Sequence, residues 1–246
     1  MDKLLYVAMT GAKETLRAQA ANNHNLANAS TTGFKADLSA FQSRAVAGPG
    51  YASRVYATDS TVGWDTVGGA QITTGNPLDV AVHGPGFIAV QDATGNEAYT
   101  RAGDLHVDPT GQLLTATGLP VMGDGGPISM PPSNSLSVAN DGTISIVPLG
   151  QSPQATSVVG RLKLVNPAID NVVRGADGLF RTKDGTPAPA DAATTVNSGT
   201  LESSNVDLPG CMVNMIELSR HFELQVKALH TAEEDASSSA KLLQST

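Results

Sequence analysis

The chain has 246 residues and a formal net charge of −8, enough length for a sizeable core in one or two domains and the wrong sign for a phosphate backbone. No basic cluster offsets that charge, so nucleic acid is excluded as a partner. With 25 Gly, 14 Pro and a single cysteine, Cys211, the composition argues for many turns and short strands and rules out an intramolecular disulfide.

The first residues, "MDKLLYVAMTGAKETLRAQA", do not form a cleaved secretion signal. Their apolar run is short and is broken by Thr10, Gly11, Lys13, Glu14 and Arg17. No stretch reaches the ~18 apolar residues that suggest a membrane span. Residues 3–29 instead read as an amphipathic helix. Leu5, Met9, Ala12, Leu16, Gln19, Asn23 and Leu26 follow steps of four and three, a heptad seam that turns polar in its second half. Gly33 is the expected breaker after it. Asn22, Asn23, Asn25 and Asn28 crowd the end of this helix, although Asn is a poor helix former. Crowded helices from neighbouring subunits would give those amides a use, as directional bonds that set register.

Residues 1–35 are therefore assigned to an N-terminal helix and 36–75 to an extended connector with a turn at 47–53. Residues 76–200 read as an antiparallel β domain, and 201–246 as a C-terminal helix. In the β region "PLDVAVHGPGFIAV" alternates around a turn. Turn chemistry recurs at Asp108–Gly111, Asp124–Gly126, Asn140–Gly142, Asp177-Gly178 and Asp184-Gly185. In "VGRLKLV", Leu162 and Leu164 are expected to face inward and Arg161 and Lys163 outward. The last helix begins near Asp207, a suitable N-cap, with Pro209 in its first turn. Met212, Met215, Phe222, Val226, Leu229, Ala236, Ala240 and Leu243 make a second seam. The fold class is thus α+β, a central antiparallel β domain flanked by terminal coiled-coil helices. Both helices need neighbouring subunits to bury their seams and are expected to fray in an isolated chain.

Catalytic chemistry finds no foothold. G-x-S-x-G, H-E-x-x-H, C-x-x-C and a phosphate loop are all absent, and "GDGG" at 123–126 suits a hairpin turn better than a phosphate. Asp104, His106 and Asp108 could project from one strand face toward a metal, but a solvated face accounts for them without a cation and is the preferred reading. His221 and His230 stand too far apart to chelate one ion. Cys211 reads as a small packing residue, and Asn28-Ala29-Ser30 as a chance sequon at a packed helix end. Wall-degrading activity would need two carboxylates about 5–9.5 Å apart in a cleft, and no such pair is recognisable. The chain is expected to be neither an enzyme nor a cofactor or metal protein.

Four stretches carry a resemblance: "LANASTTGFKAD", "GNPLDVAVHGPGFIAV", "YTRAGDLHVDPTGQLLTATGLPVMGDGGPI" and "SGTLESSNVD…MVNMIELSRHFELQVKALHTAEE". Together they make most of the chain similar to the flagellar basal-body rod and hook family. In length, in "VGRLKLVN" and in "ADGLFR" it looks most like the proximal-rod members, with the distal-rod members as near relatives. The resemblance implies a bacterial axial structural protein whose terminal helices form the inner coiled-coil layer of a helical tube and whose β domain forms the outer layer. It implies export through the flagellar type III apparatus without signal cleavage, assembly in the periplasm with itself and with other rod subunits, and transmission of motor torque. Residue by residue, Asn25, Leu26, Ala27, Asn28, Thr32, Gly33 and Phe34 match the N-terminal signature. Leu201, Glu202, Ser204, Asn205, Val206, Met212, Val213, Met215 and Ile216 match the C-terminal one. Two positions depart from the pattern: His24 stands where Asn is usual, and "PGC" at 209–211 replaces a more acidic stretch. The expected assembly interface is Leu5, Met9, Leu16, Asn22, Asn23, Asn25, Leu26, Asn28, Gly33, Phe34, Met212, Met215, Ile216, Phe222, Val226 and Leu229.

Overall fold

A computed structural model describes residues 3–45, 55–151 and 155–244. The turn expected at 47–53 lies outside the described residues, as do the side chains of Ala236 and Leu243. The chain divides into two compact units. One comprises Met1–Ala29, Ala36–Asp65 and Val206–Thr246, the other Ser30–Lys35 and Thr66–Asn205.

The first unit holds both long helices, α1 (Lys3–Ala27) and α2 (Leu208–Gln244), and an antiparallel strand pair, β1 (Asp37–Ala45) with β2 (Val55–Trp64). The segment 36–75, read as an extended connector, therefore holds a paired antiparallel strand couple among its described residues. The C-terminal helix of the 201–246 segment starts at Leu208, directly after the expected cap Asp207. Its first bond runs from the Cys211 N–H to the Asp207 carbonyl, as an N-cap requires. Gly210 is explained by the same cap, because a Cβ there would lie 2.4 Å from the Asp207 carboxylate. The helix tolerates Pro209 because its second residue has no intrahelical acceptor to lose.

The second unit is built of short antiparallel strands: β3 (Gln71–Thr73), β4 (Val80–His83), β5 (Phe87–Gln91), β6 (Glu97–Thr100), β7 (Leu105–Val107), β8 (Leu113–Thr115), β9 (Met122–Gly123), β10 (Gly126–Pro127), β11 (Ser133–Val138), β12 (Thr143–Pro148), β13 (Ser157–Arg161), β14 (Leu164–Val165), β15 (Val172–Arg174), β16 (Phe180–Thr182), β17 (Thr195–Ser198) and β18 (Thr200–Glu202). Five of them form a sheet in the order β14-β5-β6-β16-β15, and β11-β12-β13 form another. The rest pair two by two, β4 with β17, β3 with β18, β7 with β8 and β9 with β10. Strand pairing is antiparallel throughout the described residues.

Aliphatic side chains fill its core, among them Val80, Val82, Ile88, Val90, Leu113, Val121, Ile144, Leu162 and Leu164. Leu162 and Leu164 point inward as their alternation predicts, but Ala81 is buried along with Val80 and Val82, so β4 is covered on both faces. Tyr99 is sealed inside as well. Its hydroxyl accepts the Ala188 N–H at 2.6 Å, and burial pushes its pKa up to about 12.

One turn design recurs. In β5–β6 the Asp92 carboxylate accepts the Thr94 and Asn96 N–H groups, and Gly95 bonds back to the Asp92 carbonyl at φ +87°. The β7–β8 loop repeats this with Asp108, Thr110, Gln112 and Gly111, also at φ +87°. Only glycine enters that left-handed region cheaply, which fixes the D-x-T-G pattern. The Thr94 hydroxyl and the Arg181 guanidinium hold the Asp92 carboxyl well below the usual carboxylate range. Thr110 and the Gln112 amide do the same for Asp108.

A depressed folded-state pKa gives stability that is present above the ordinary carboxylate value and lost as pH falls toward the folded value. Asp92→Asn keeps the turn acceptor but removes the charge. It should lower the urea midpoint at neutral pH and flatten the acid limb of a midpoint-versus-pH series.

Candidate functional site

The two long helices lie antiparallel. Gly11 of α1 meets Gln225 of α2, so closely that a methyl group at Gly11 would come within 3.0 Å of the amide. Eleven residues along α1, Asn22 Nδ2 donates to the Cys211 carbonyl at 2.8 Å. At 100° per residue Ala8, Thr15 and Ala18 share this face, and all three are buried. On α2 the face is Cys211, Met215, Leu218, Phe222, Gln225, Leu229 and Ala232, at steps of four and three. Leu218 and Ala232 are its deepest members. Small residues on α1 thus let larger ones on α2 approach.

This register differs from the one read from the sequence. Leu5 and Leu26 are half-buried, but Met9 and Leu16 are 51% and 50% exposed. They belong to a second stripe, Tyr6, Met9, Lys13, Leu16, Ala20, Asn23 and Ala27, on the side of α1 opposite the buried face. On α2, Met212 and Ile216 are likewise turned away from the buried face and exposed, while Met215, Phe222, Val226 and Leu229 are half-buried. The heptad reading does not mark the intramolecular face, because hydrophobicity marks large residues. The closest helix contact selects small ones, which apolar periodicity weights lightly.

The asparagines find partners inside the chain. Asn25 reads the Asp37 backbone in both directions, accepting its N–H at 2.7 Å and donating to its carbonyl at 2.9 Å, and so holds β1 beside the helix. Asn28 donates to the His24 carbonyl, and His24 Nδ1 lies 2.7 Å from the Asp37 carboxylate. Asn23 alone of the four is exposed. Amides at a helix end are therefore used where backbone groups need a side chain that both donates and accepts.

Gly33 does not end α1, which stops at Ala27. In the β-rich unit its N–H donates to the Glu202 carbonyl, and a Cβ at Gly33 would lie 2.3 Å from the Arg101 carbonyl carbon. Its φ of +67° adds a second reason for glycine. Two residues on, Lys35 is buried and donates to Glu202 Oε1 at 2.6 Å and to the Val67 carbonyl at 2.8 Å. Glu202 Oε1 also accepts the Gly69 N–H. Arg101 Nε stands 3.1 Å from Glu202 Oε2, an ion-pair distance without hydrogen-bond alignment, while its Nη1 donates to the Gly84 and Gly86 carbonyls. Burial pulls the Arg101 guanidinium below its ordinary value, and the Glu202 charge opposes that. Phe34 lies under the Arg174 guanidinium, 5.1 Å from the ring centre. Asn205 donates to the Phe34 and Val67 carbonyls. The two signature segments therefore meet around one buried carboxylate. Lys35 and Arg101 escaped sequence reasoning because their partner is as far as 167 residues away.

Other candidate chemistry stays apart. Asp108 serves its turn, His106 is exposed, and Asp104 is half-buried, so the three share no site. No group of three or more His, Cys, Asp or Glu side chains could hold a metal among the described residues. Cys211 is half-buried, and burial together with Asp207 pushes its thiol up. "GDGG" is the tight β9–β10 hairpin. No helix among the described residues is long and apolar enough to cross a membrane.

Three family descriptions match: flagella basal body rod protein over residues 5–35, the flagellar hook protein FlgE/F/G D1 domain over 81–146, and the flagellar basal body rod FlgEFG protein C-terminal region over 197–242. The chain is 43% identical to the flagellar basal-body rod protein FlgF of Escherichia coli K12, with 99% of both chains covered. The chain belongs to the flagellar basal-body rod protein family. FlgF of Salmonella typhimurium is equally similar, and FlgG of Bacillus subtilis is 32% identical over 95% of this chain and 96% of its own length. The family resemblance read from the sequence is confirmed, and members of the family are structural rod proteins rather than enzymes. The first match, residues 5–35, spans both α1 and the Gly33–Lys35 segment.

Removing one member of a buried pair leaves an uncompensated charge, at a cost of about 3–5 kcal/mol. Glu202→Gln should therefore lower stability by roughly that amount in urea denaturation. The double variant Lys35→Met, Glu202→Gln should recover part of the loss. A double-variant loss equal to the sum of the Glu202→Gln and Lys35→Met losses would show that the pair is not coupled.

Proposed function

We propose that the chain is a proximal-rod subunit of the bacterial flagellum, polymerising through its terminal helices into the helical shaft that carries motor torque. The observation that supports this reading best is the exposed stripe on α1. Tyr6, Met9 and Leu16 stay uncovered although α1 already has a partner helix in its own chain. Large apolar residues repeated at heptad spacing suit a neighbouring helix, giving a coiled-coil inner layer. Met212, Val213, Ile216 and Leu224 offer a matching set on α2. The β-rich unit then forms the outer layer. Export uses the flagellar type III apparatus without signal cleavage, and assembly takes place in the periplasm with itself and with other rod proteins. The stronger similarity to FlgF than to FlgG, 43% against 32%, favours the proximal over the distal rod. The mechanism is mechanical. Apolar side chains packed between subunits pass torque, and no reacting group is needed.

Leu16→Asp tests the reading because the position is half exposed and outside the intramolecular face. Its circular dichroism and denaturation midpoint should match the wild type within about 0.5 kcal/mol, as surface substitutions do. Cells carrying it should lack complete rods in basal-body preparations and fail to swim. Normal motility with Leu16→Asp would contradict the assignment of this stripe to assembly.

A further inference from the structure

A pair of carboxylates in the β-rich unit lies apart from the helix stripes and from the Glu202 cluster. Asp79, just before β4, and Asp104, just before β7, face each other across an antiparallel bridge. Partners on such a bridge project to the same side, so two like charges are brought together. Asp79 is buried, and its Oδ1 accepts the Asn76 side-chain amide at 2.8 Å. Asp104 Oδ1 is shielded from solvent and has no hydrogen-bond donor. The backbone leaves little freedom to relieve this. The Asp79 carbonyl accepts the Gly199 and Thr200 N–H groups, the Asp104 carbonyl accepts Ala116 N–H, and a Cβ at Gly103 would lie 1.6 Å from the Val80 carbonyl oxygen.

A buried acceptor without a donor beside a second carboxylate is relieved by one proton. Protonation turns Asp104 from acceptor into donor and removes the repulsion at once. We propose that Asp104 carries a proton beside the Asp79 carboxylate and so latches the strand entering β4 to the strand entering β7, and that the latch loosens by charge repulsion as pH rises. Burial raises the Asp104 carboxyl above its ordinary 3.8; its own backbone N–H opposes this, the Asp79 charge adds to it, and the nearby His106 opposes. Asp79, His106 and the neutral Asn76 are the groups that act on the pair.

The sign is opposite to that of the turn aspartates. A folded-state pKa above the unfolded value means that the latch's contribution is complete at low pH and is lost as pH rises through the folded value. Asp92, Asp108, Asp141, Asp177 and Asp191 are all shifted down and lose their contributions toward acid. The latch therefore shows as a difference between variants rather than in the wild-type profile alone.

The test uses the full chain. Asp104→Asn places an amide donor where the protonated acid would donate. Its thermal midpoint should coincide with the wild type at about pH 4 and exceed it by a few degrees at about pH 8. Carbon-13 carboxyl spectra of the wild type should show Asp104 titrating above the ordinary Asp value, and in Asp79→Asn that titration should move back toward it. A midpoint difference that does not change with pH, or an Asp104 resonance titrating at the ordinary value, would overturn the proposal. So would a rise in the wild-type midpoint on adding calcium at high pH that Asp104→Asn abolishes, because the pair would then hold a cation rather than a proton.

Discussion

A helix that approaches another through Ala8, Gly11, Thr15 and Ala18 cannot also bury Met9 and Leu16, which point the other way. That constraint organises the helical unit. The intramolecular face uses small side chains and amides, whose gain lies in close contact and satisfied backbone groups. The large apolar residues are left outside, where under the proposed function a neighbouring subunit covers them. At about 25 cal/mol per Å² of apolar surface, each covered Met or Leu adds of order 1.5–3 kcal/mol, and polymerisation repeats that gain in every subunit. On the proposed reading, monomer folding and rod assembly draw on different residues of one helix.

The β-rich unit rests on a second constraint, the burial of Glu202. A carboxylate removed from water survives only with charged and hydrogen-bonded partners around it. Lys35, Gly69 and Arg101 supply them from three distant parts of the sequence. Gly33 must then come within contact of the Arg101 backbone, which leaves no room for a side chain. The N-terminal signature is readable in these terms. Its asparagines serve the turn out of α1 and into β1, and its glycine and lysine serve the carboxylate.

Much of the fold was legible in the sequence because local chemistry decided it. The Asp-x-Thr-Gly loops, the Asp124-Gly125 hairpin, the inward Leu162 and Leu164 and the Asp207 cap all depend on residues within a few positions of one another. Where partners were distant, the reading fell short. The 36–75 segment looked like a connector, yet β1 and β2 within it pair antiparallel. The seam on α1 was displaced because alanines and glycine were passed over for leucine and methionine. The asparagines were assigned to neighbouring subunits, whereas Asn22 and Asn25 bond to Cys211 and Asp37 of their own chain. Both helices were expected to fray without neighbouring subunits; within the chain they meet at Gly11 with Gln225 and at Asn22 with Cys211.

Methionine oxidation footprinting tests the division between the two faces most directly. Met9 and Met212 are half exposed in the lone chain, and Met130 is sealed in the β core. In dilute monomer, Met9 and Met212 should oxidise readily while Met130 resists. In assembled rods both should become as protected as Met130. If Met9 and Met212 react equally fast in monomer and rod, the outer stripe is not where subunits meet, and the rod is held together by other surfaces.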